Sequence, residues 1–336
     1  MRWLCIVILA MLVGTPVYAR KKAPPDPLFS THAAYQPFLK SLAESTQQDL
    51  TALEKIFSDV RLKPQIIRAM SRPAEAKPWD QYRPLFVNGK RVLGGVTFWD
   101  DHAAALLRAR KQFDVPESMI AAIIGVETVY GRNTGSYRVL DALTTLAVEY
   151  PPRSDYFRRE LEQYLILAQE QAIDPLSMKG SYAGAMVIGQ FMPSSYRKYG
   201  IDFDGDGHPD LWDNTADAIG SVANYFKAFG WKTGEPVVAP VEVKGEETRE
   251  FANTGWSARK SVEEWQRRGV VLQDSQWPQT EAMLVRLDTA SGPQFWLGFN
   301  NYYVITRYNR SLLYALAVWQ LSQEIESARR SAYAEK

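Results

Sequence analysis

The stretch IIGVETVYGRNTG, residues 123–135, carries one glutamate, Glu127, inside an apolar run. Ile120, Ile123 and Ile124 precede Glu127 with the spacing i, i+3, i+4 and i+7, so all four side chains share one face of a helix. Burying a carboxylate is costly unless a partner or a function offsets the cost. The stretch therefore predicts a helix that ends with an acid on its buried face.

The residues before this stretch predict where the helix begins. Asp114 is a residue type that caps helices, and Pro116 suits the first helical turn. Glu117 then completes the spacing of a capping box. Together these signals predict a helix over residues 116–130.

Two interpretations of Glu127 are open at this point. Desolvation raises the pKa of a buried carboxyl group, which then keeps its proton near neutral pH, as a general acid for glycosidic bonds requires. Gly125 and Gly131, on either side, are expected to leave space for a substrate. Alternatively, Glu127 is a structural acid paired with Arg132 or Arg138. The helical pattern alone favours neither interpretation.

The whole chain has the composition of an ordinary globular protein. Its 336 residues carry a formal net charge of +1, and 46% of them are hydrophobic. This length supports a sizeable core in one large domain or in two to three smaller ones. The balanced charge gives no indication of a nucleic-acid partner.

The N-terminal segment has the parts of a secretory signal peptide. Arg2 precedes an apolar run over residues 3–13, and Ala19 closes a Val-Tyr-Ala tripeptide. The run is too short for an ordinary transmembrane helix, and an uncleaved anchor is the alternative. We therefore expect cleavage after Ala19 and a soluble periplasmic protein.

Cys5 is the single cysteine of the chain and lies within this apolar run. The mature protein would then contain no thiol, which excludes disulfides and cysteine catalysis. The residues before Cys5 are not the small residues that precede a lipidated cysteine, so an outer-membrane lipoprotein is not expected.

The rest of the chain shows helical periodicity, interrupted by one region of short strands. Two helices are predicted between Phe38 and Met70, and others over residues 97–112, 116–130, 138–148, 154–172, 180–190 and 215–229. SRPAEAKPWDQYRPLF (71–86) contains three prolines and is expected to break helix. Strands are predicted in EPVVAPVEV (235–243), AMLVRLD (282–288) and QFWLGF (294–299). SVEEWQRRGV (261–270) and the C-terminal RSLLYALAVWQLSQEIE (310–326) read as helices.

We therefore predict a mainly α protein of the α+β class with a small β-rich inserted domain. The basic and proline-rich residues RKKAPPDPLFS after the signal peptide indicate a linker. The expected parts are a signal peptide (1–19), a linker (20–36), an N-terminal helical lobe (37–96), a helical core (97–231), a β-rich domain (232–291) and a C-terminal return to the core (292–336).

Three motifs resemble those of the B-type membrane-bound lytic murein transglycosylases, glycoside hydrolase family 103. They are GVETVYGRNTG (125–135), GSYAGAMVIGQFMPSSYRKYGIDFDGDGHPDLWD (180–213) and DAIGSVANYF (217–226). The resemblance extends to PWDQYRPLF (78–86) and FNNYYVITRYNRS (299–311), and so covers nearly all of the mature chain. It implies a lysozyme-like core with a peptidoglycan groove between an α domain and a β domain. It also implies cleavage of the β-1,4 bond between N-acetylmuramic acid and N-acetylglucosamine, with a 1,6-anhydromuramoyl product end.

The resemblance also implies roles for single residues. Glu127 matches the acid and base of the family. The matching groove residues are Tyr82, Ser181, Gln190, Tyr308 and Asn309. We expect Phe191, together with Tyr82 and Tyr308, to keep water away from the reaction.

Plainer interpretations of these residues stay open beside the resemblance. The small residues within 180–190 predict a helix face that allows close packing or close approach of the backbone. Ser181 and Gln190 supply neutral polar groups suited to sugar hydroxyls and acetamides, and a surface position is the less favoured alternative for Gln190. Taken alone, Tyr308 fits plain packing and Asn309 fits a helix cap, and the same packing interpretation applies to Tyr82.

The segment DFDGDGHPDLWD, residues 202–213, predicts a Ca²⁺ loop of the EF-hand type. Asp202, Asp204 and Asp206 provide alternating carboxylates, a glycine follows for the sharp turn, and His208 offers its backbone carbonyl. A solvated acidic loop without metal is the alternative. A single loop of this kind favours a structural site over a calcium sensor.

The closing ligand of this loop is open between two aspartates. Asp213 occupies the twelfth position but is one methylene shorter than the usual bidentate glutamate. The resemblance implies a longer loop closed by the aspartate before AIGSVA, which is Asp217 here. We favour Asp217 and keep Asp213 as the rival.

The leading hypothesis is a periplasmic lytic transglycosylase, with two alternatives. A hydrolytic muramidase would need a second carboxylate about 5–9.5 Å from Glu127, and Asp141, Glu149 and Asp155 are candidates. A non-catalytic peptidoglycan-binding protein would keep the groove but not need a protonated Glu127. We expect a monomer that binds glycan strands, with cell-wall synthesis proteins as candidate partners.

Overall fold

The computed structural model describes residues 25–71, 77–273 and 277–334. The predicted signal peptide lies outside the described residues, as does part of the predicted linker. The α-helices are α1 (Tyr35–Thr46), α2 (Leu50–Phe57), α3 (Pro64–Met70), α4 (Trp79–Phe86), α5 (Gly89–Asp101), α6 (Ala103–Phe113), α7 (Glu117–Thr128), α8 (Val139–Glu149), α9 (Ser154–Glu170), α10 (Pro193–Tyr199), α11 (Thr215–Ala228), α12 (Glu246–Arg249), α13 (Val262–Arg267), α14 (Asn300–Tyr308) and α15 (Leu312–Ala334).

Helix α7 lies at the centre of the helical part because nearly all of its side chains are buried. Every residue from Glu117 to Val126 is buried, so α7 has no solvent-facing side along that length. Helices α5, α6, α11 and α15 pack around it. This mainly helical arrangement, with one small sheet region, confirms the predicted fold class.

Three helices, α1, α2 and α3, form the first part of the described chain, where two were predicted. Their leucine and phenylalanine spacing does bury one face, since Leu39, Leu53 and Phe57 are fully buried. The extra helix, α3, begins at Pro64, which has the fixed φ angle of a first helical turn. Helix α1 packs on α9, and α3 packs on α8.

The prediction of broken helix over residues 71–86 was wrong for its second half. Helix α4 forms there with Pro84 inside it. Trp79 and Tyr82 of α4 are buried, and their rings stack with centroids 6.3 Å apart. We attribute the helix to the burial of these aromatic side chains, which offsets the hydrogen bond lost at proline.

Two other helix predictions differ from the structure. Residues 180–190 form turns, because Gly184, Val187 and Gln190 have φ angles of 79°, 68° and 53°, which a right-handed helix does not accommodate. The small residues of this segment therefore do not form a helix face. The helix predicted over residues 97–112 is divided between α5 and α6, and α10 was not predicted.

The β-rich region is an antiparallel sheet with the strand order β4-β6-β7-β3-β5. The strands are β3 (Val238–Val243), β4 (Lys260–Ser261), β5 (Val270–Leu272), β6 (Glu281–Thr289) and β7 (Gly292–Gly298), while β1 (Tyr137–Arg138) and β2 (Lys179–Gly180) pair elsewhere. The predicted strands correspond to β3, β6 and β7, and α13 was also predicted.

Alternation along β6 explains why both faces of this sheet are covered. Val285 and Leu287 belong to the large helical core, whereas Leu284 joins a second core with Trp265 of α13. The chain then returns through α14 to α15, which packs against α5 and α7. The exact division into domains stays a prediction. No helix in the described ranges has the length and hydropathy of a membrane span.

Candidate active site

Helix α7 places Glu127 in its last turn. The start of the helix differs from the prediction, because Asp114 adopts the left-handed conformation that ends α6, and no side chain caps α7 at Pro116. Glu117 instead pairs with Arg110, with 3.2 Å between nitrogen and oxygen. The capping box does not form, but the predicted buried face of α7 does.

Glu127 is a half-buried acid whose pKa lies well above the usual range. Burial raises the pKa of its carboxyl group from 4.5 to about 7, against the opposing effects of a hydrogen bond from Tyr314 and the charge of Arg91. The Tyr314 hydroxyl donates to Oε1 of Glu127 over 2.5 Å. Near neutral pH both protonation states of Glu127 are populated, so this group can both give and accept a proton.

The geometry does not support a structural ion pair at Glu127. Arg138 donates to Asp59 at 2.6 Å and to Asp141 at 2.8 Å. Across the residues that the structure describes, neither Arg132 nor Arg138 forms an ion pair with Glu127. Among the described residues, the half-buried carboxylate of Glu127 therefore has no ion-pair partner.

Two tyrosines, Tyr314 and Tyr308, lie near the carboxylate of Glu127, and Tyr82 lies near Tyr314. Tyr314 is buried and Tyr308 half-buried, and burial followed by the charge of Glu127 raises the pKa of both phenols well above the usual value. Both therefore stay neutral hydrogen-bond donors, and Tyr308 donates to the carbonyl oxygen of Gly189 at 2.6 Å. Tyr82 is close enough to Tyr314 to raise its pKa further. The structure thus brings Tyr308, a predicted groove residue, to Glu127, and it places Tyr82, another, near Tyr314.

The space expected beside Gly125 is already occupied. A Cβ atom at Gly125 would lie 2.5 Å from the hydroxyl oxygen of Tyr130. That hydroxyl donates to the carbonyl oxygen of Arg91 at 2.5 Å, and the guanidinium of Arg91 donates to carbonyl oxygens at the end of α7. A cation is favourable at a helix C-terminus. Gly125 therefore makes room for a tyrosine rather than for a substrate.

Gln190 and Phe191 follow Gly189, whose carbonyl oxygen accepts the Tyr308 hydroxyl. The amide nitrogen of Gln190 donates to the carbonyl oxygen of Thr134 at 2.9 Å, which leaves the side-chain oxygen as an acceptor. The ring of Phe191 is buried, with its centroid 5.7 Å from that of Tyr308. Gln190 is half-buried and therefore partly accessible, whereas the buried ring of Phe191 packs against the ring of Tyr308.

Ser181 and Asn309 are half-buried residues in two separate turns. The hydroxyl oxygen of Ser181 accepts the N–H of Ala185 at 3.1 Å. Asn309 ends α14, and its side-chain oxygen accepts the N–H of Ser311 at 3.2 Å. The side chain of Asn309 therefore closes the turn before α15, whereas the hydroxyl of Ser311 accepts an N–H inside α15, that of Tyr314. Asn309 also lines a cavity of about 620 Å³.

The candidate second carboxylates have other partners or no contact with the site. Asp141 is buried in an ion pair with Arg138, and Glu149 pairs with His32. Asp155 lies in the first turn of α9. Burial, a tyrosine and an arginine set the pKa of the catalytic candidate, and these three acids do not contribute.

The acidic loop folds around its own carboxylates. Oxygen atoms of Asp202 accept the N–H groups of Gly205 and Gly207, both at 2.7 Å. Carboxylate oxygens of Asp202, Asp204 and Asp217 all lie within 4.8 Å of one another. Ca²⁺ prefers such hard oxygen ligands at about 2.3–2.6 Å, so this donor set fits the ion.

Asp217 is held more firmly than its rival Asp213. It is fully buried and accepts the N–H groups of Phe203 at 2.6 Å, Asp204 at 3.2 Å and Asp210 at 2.8 Å. Asp213 is exposed and does not belong to the carboxylate group. This arrangement supports Asp217 as the residue that closes the loop.

The other two predicted loop ligands lie at its exposed tip. The N–H of His208 donates to Asp206 at 2.9 Å, and neither residue belongs to the group of three converging carboxylates. Their roles as metal ligands stay predictions.

Sequence reasoning missed two residues that act on Glu127. Tyr314 lies in the apolar run LLYALAV of α15, where one tyrosine among aliphatic residues was the available signal. Arg91 lies in α5 within NGKRVLGG, where no local signal distinguishes it from a surface arginine.

Comparisons with known proteins agree on one family. The chain matches the family model described as the transglycosylase SLT domain over residues 30–323. The chain is 42% identical to membrane-bound lytic murein transglycosylase B of Escherichia coli over 318 residues. This match covers 90% of this chain and 85% of the E. coli protein. The solved structure of soluble lytic transglycosylase SltB1 from Pseudomonas aeruginosa shares 48% identity and a TM-score of 0.79, over 87% of this chain and 98% of that one. The E. coli lytic transglycosylase Slt35 in complex with calcium shares 42% identity and a TM-score of 0.81, over 90% and 95%.

Proposed function

This chain belongs to the transglycosylase SLT domain family and is a lytic transglycosylase that cleaves peptidoglycan, and we propose that Glu127 is its single acid and base. The observation that carries the proposal is the half-buried carboxyl group of Glu127, whose pKa of about 7 lets it work in both protonation states. Its fold is the mainly helical, lysozyme-like fold of its relatives.

In the first step, protonated Glu127 donates its proton to the glycosidic oxygen, and the bond from that oxygen to C1 of N-acetylmuramic acid breaks. A general acid is most effective when its pKa lies near the working pH. Positive charge then develops at C1. No second carboxylate acts on Glu127 among the described residues, so the carbonyl oxygen of the substrate's own 2-acetamido group bonds C1, as in substrate-assisted glycosidases.

In the second step, ionised Glu127 accepts the proton of the C6 hydroxyl group. The C6 oxygen bonds C1 and displaces the acetamide oxygen, which closes the 1,6-anhydro ring and leaves Glu127 protonated for the next cycle. Tyr314 supports the ionised state because its hydroxyl donates to Oε1. Water must stay out of this step, and we assign that role to the rings of Tyr82, Phe191 and Tyr308. Phe191 packs on Tyr308, and Tyr82 lies near Tyr314, which contacts the carboxylate.

Four residues are proposed to bind the sugars. The hydroxyl of Ser181, the side-chain oxygen of Gln190, the phenol of Tyr308 and the amide of Asn309 are neutral groups that match hydroxyl and acetamide groups. All four residues are half-buried, and none of them is an ionised side chain. Neutral hydrogen-bonding groups suit a glycan backbone that itself carries no charge.

We propose that the acidic loop binds Ca²⁺ in a structural role. Asp202, Asp204 and Asp217 would hold the ion, with Asp206 and the backbone carbonyl of His208 completing the set. The relative Slt35, of known structure in complex with calcium, supports the choice of ion. Bound Ca²⁺ would neutralise converging carboxylates and fix the loop that leads into α11.

We infer periplasmic localisation from residues 1–19, which lie outside the described ranges. The E. coli relative is named as membrane-bound, whereas we propose a soluble periplasmic form for this chain, so the proposal separates the two proteins by their attachment. N-terminal sequencing of the fractionated protein tests this inference, which predicts a chain that begins at Arg20.

Mass analysis of the products from purified sacculi tests the proposed reaction. Intramolecular attack by the C6 hydroxyl gives muropeptides about 18 mass units lighter than a muramidase gives, the mass of one water. Products with reducing muramic acid ends would show that water is the nucleophile and would favour the hydrolase alternative.

A further inference from the structure

The two residues after the last turn of α7 have a strained backbone, close to the catalytic candidate. Val129 and Tyr130 have φ angles of 53° and 62°, in the left-handed region that favours glycine. Val129 is β-branched, and such a side chain rarely adopts this conformation. A strained backbone persists only where the surrounding contacts enforce it, and such residues cluster at active sites. The contacts that hold this helix end therefore bear on the position of Glu127.

Helix α5 supplies part of these contacts through Arg91. The guanidinium of Arg91 donates to the backbone carbonyl oxygens of Gly125 and Val126, in the last turns of α7. The last carbonyl oxygens of a helix lack partners within it, so a cationic donor there stabilises the helix end. Arg91 is half-buried, so solvent screens its charge less than that of a surface arginine.

Tyr130 binds Arg91 in return. Its hydroxyl donates to the backbone carbonyl oxygen of Arg91 at 2.5 Å. Its side chain fills a slot formed by three glycines, because a Cβ atom at Gly94, Gly95 or Gly125 would lie within 2.7 Å of one of its atoms. We refer to Arg91 and Tyr130 as the α5 clamp, since both join the end of α7 to α5.

A second contact holds the same helix end from another side. The hydroxyl of Thr128 donates to the carbonyl oxygen of Ile188 at 2.8 Å and accepts the N–H of Gly131 at 2.9 Å. Glu127 lies in the chain between Val126, which accepts from Arg91, and Thr128. A shift of the Glu127 backbone would therefore break contacts to α5, to the segment of Ile188, or to both.

We propose that Arg91 and Tyr130 are positioning residues, which hold the carboxyl group of Glu127 in place for both proton transfers, and that the charge of Arg91 favours its ionised form. The inference rests on the proposed function, which assigns both transfers to Glu127. Neither residue of the clamp belongs to the proposed sugar-binding set, so both act through Glu127.

The titratable groups around Glu127 come from several helices. Arg91 of α5 and Tyr314 of α15 lower the pKa of Glu127, whereas burial raises it. The other helices that pack on this part of the molecule place Tyr308 (α14) near Glu127, Tyr225 (α11) against Tyr308, and Arg110 (α6) on Glu117, at the opposite end of α7. Within the described ranges, Arg91 is therefore the cation that acts on the catalytic candidate.

The test measures kcat and KM on soluble glycan strands as a function of pH for three variants of the clamp. Arg91→Met removes the charge and the donors but keeps a long unbranched side chain, and Arg91→Lys keeps the charge. Tyr130→Phe keeps the ring between the glycines but loses the bond to Arg91. Carbon-13 NMR of the glutamate carboxyl groups, with Glu127→Gln to assign the resonance, follows the titration of Glu127 directly.

Two matched controls remove similar bonds elsewhere. Arg61 is also half-buried, and its guanidinium donates to the backbone carbonyl oxygen of Asp26 at 3.0 Å, so Arg61→Met is the control for Arg91→Met. The hydroxyl of Tyr164 donates to the carbonyl oxygen of Pro175 at 2.9 Å, so Tyr164→Phe is the control for Tyr130→Phe.

Arg91→Met should lower kcat about 10²-fold, the cost of misplacing a reacting group by about 1 Å, while KM stays close to that of the wild type. The alkaline limb of its pH profile and the NMR midpoint of Glu127 should both move to higher pH, because the ionised carboxylate loses a nearby positive charge. Arg91→Lys should restore the midpoint and part of kcat. Tyr130→Phe should lower kcat by a smaller factor without moving the midpoint. Both controls should keep the wild-type kcat and midpoint.

The positioning role would be overturned if Arg91→Met and Arg61→Met lost the same factor in kcat or shifted the midpoint equally. A raised KM with an unchanged kcat in Arg91→Met would also overturn it, because Arg91 would then bind substrate. If the thermal midpoint shows that Arg91→Met does not fold, wild-type kcat in both Arg91→Lys and Tyr130→Phe overturns the role. Wild-type products that end in reducing muramic acid would instead overturn the proposed function.

Discussion

The hydroxyl group of Tyr314 donates a hydrogen bond of 2.5 Å to Oε1 of Glu127 and so joins α15 to the end of α7. These two helices pack along each other, which holds donor and acceptor in place. The bond lowers the pKa of Glu127, whereas burial raises it. The pKa of about 7 is therefore a balance between burial, which raises it, and two groups that lower it, the phenol of Tyr314 and the charge of Arg91.

Tyr314→Phe removes this bond and should raise the pKa of Glu127. The acid then stays protonated to higher pH, so the alkaline limb of the kcat/KM profile should move to higher pH. The maximal rate should fall, because the ionised state that accepts the C6 proton loses its hydrogen bond. The pH dependence of product release from soluble strands measures both effects.

Tyr302→Phe is the matched control for this change. Tyr302 is also buried, and its hydroxyl donates to the carbonyl oxygen of Leu312 at 2.6 Å, at the start of α15. Each variant loses one buried hydrogen bond, which costs about 1 kcal/mol of stability. Tyr302→Phe should leave the pH profile unchanged. An equal shift in both variants would mean that loosening α15, rather than the bond to Glu127, moves the pKa.

Glu127→Gln should make the protein more stable at neutral and alkaline pH. The pKa of Glu127 is about 7 when folded and near 4.5 when unfolded, so the folded state binds the proton more tightly. The stability of the wild type therefore falls as pH rises between these two values and levels off above them. Glutamine removes this cost, and the variant should gain up to about 3 kcal/mol above pH 7.5 and nothing below pH 4. Denaturant unfolding across this pH range measures the difference.

Glu170→Gln provides a control with the opposite sign. Hydrogen bonds from Arg197 lower the pKa of Glu170, so this pair contributes stability above the unfolded pKa and loses it as pH falls. The variant should be less stable than the wild type at pH 7 and equal to it at low pH. The same pH slope in both variants would contradict the assignment of a raised pKa to Glu127.

Calcium should raise the thermal midpoint of the wild type by stabilising the folded state. At a hundredfold excess over Kd the gain is about 2.7 kcal/mol. Asp202→Ala should lose this response, because it removes one of the three converging carboxylates. Calorimetric melting curves with Ca²⁺ and with a chelator measure it, and identical curves for the wild type would remove the proposed site.

A comparison of two further variants decides which aspartate closes the loop. Asp217→Asn should lose the calcium response and also melt lower without calcium, because a neutral amide accepts the three backbone N–H groups less well. Asp213→Asn should keep the response, since Asp213 is exposed and outside the carboxylate group. The reverse pattern would assign the loop to Asp213.

Sequence periodicity located Glu127 because burial along α7 repeats with the helical period. Ile120, Ile123 and Ile124 are fully buried, and the acid follows on the same face. Short β-branched or alternating runs bounded by turn residues identified β6 and β7, and each of these strands places side chains on two covered faces of the sheet. In both cases, neighbouring residues in the sequence are buried in a regular pattern because the whole helix or strand packs against the core.

Other features were beyond local patterns because distant contacts determine them. Small residues over 180–190 suit a packed helix and a tight turn equally, and the left-handed φ angles of Val187 and Gln190 arise only within the folded core. The bond between Tyr314 and Glu127 spans 187 residues, so no sequence window contains both groups. Only the packing of α15 on α7 reveals it.

Glu127→Gln should abolish catalysis while the fold persists. Glutamine has the shape of glutamate and can still accept the bond from Tyr314, but it can neither donate a proton to the glycosidic oxygen nor accept one from the C6 hydroxyl. A general acid or base alone contributes about 10²–10⁴ in rate, and one residue provides both here, so the loss should reach at least about 10⁴. The variant should still bind sacculi and unfold cooperatively. Glu117→Gln, a buried glutamate near the other end of α7, should release anhydro muropeptides at close to the wild-type rate. Full activity in Glu127→Gln would instead show that Glu127 is a buried structural acid and that another group donates the proton.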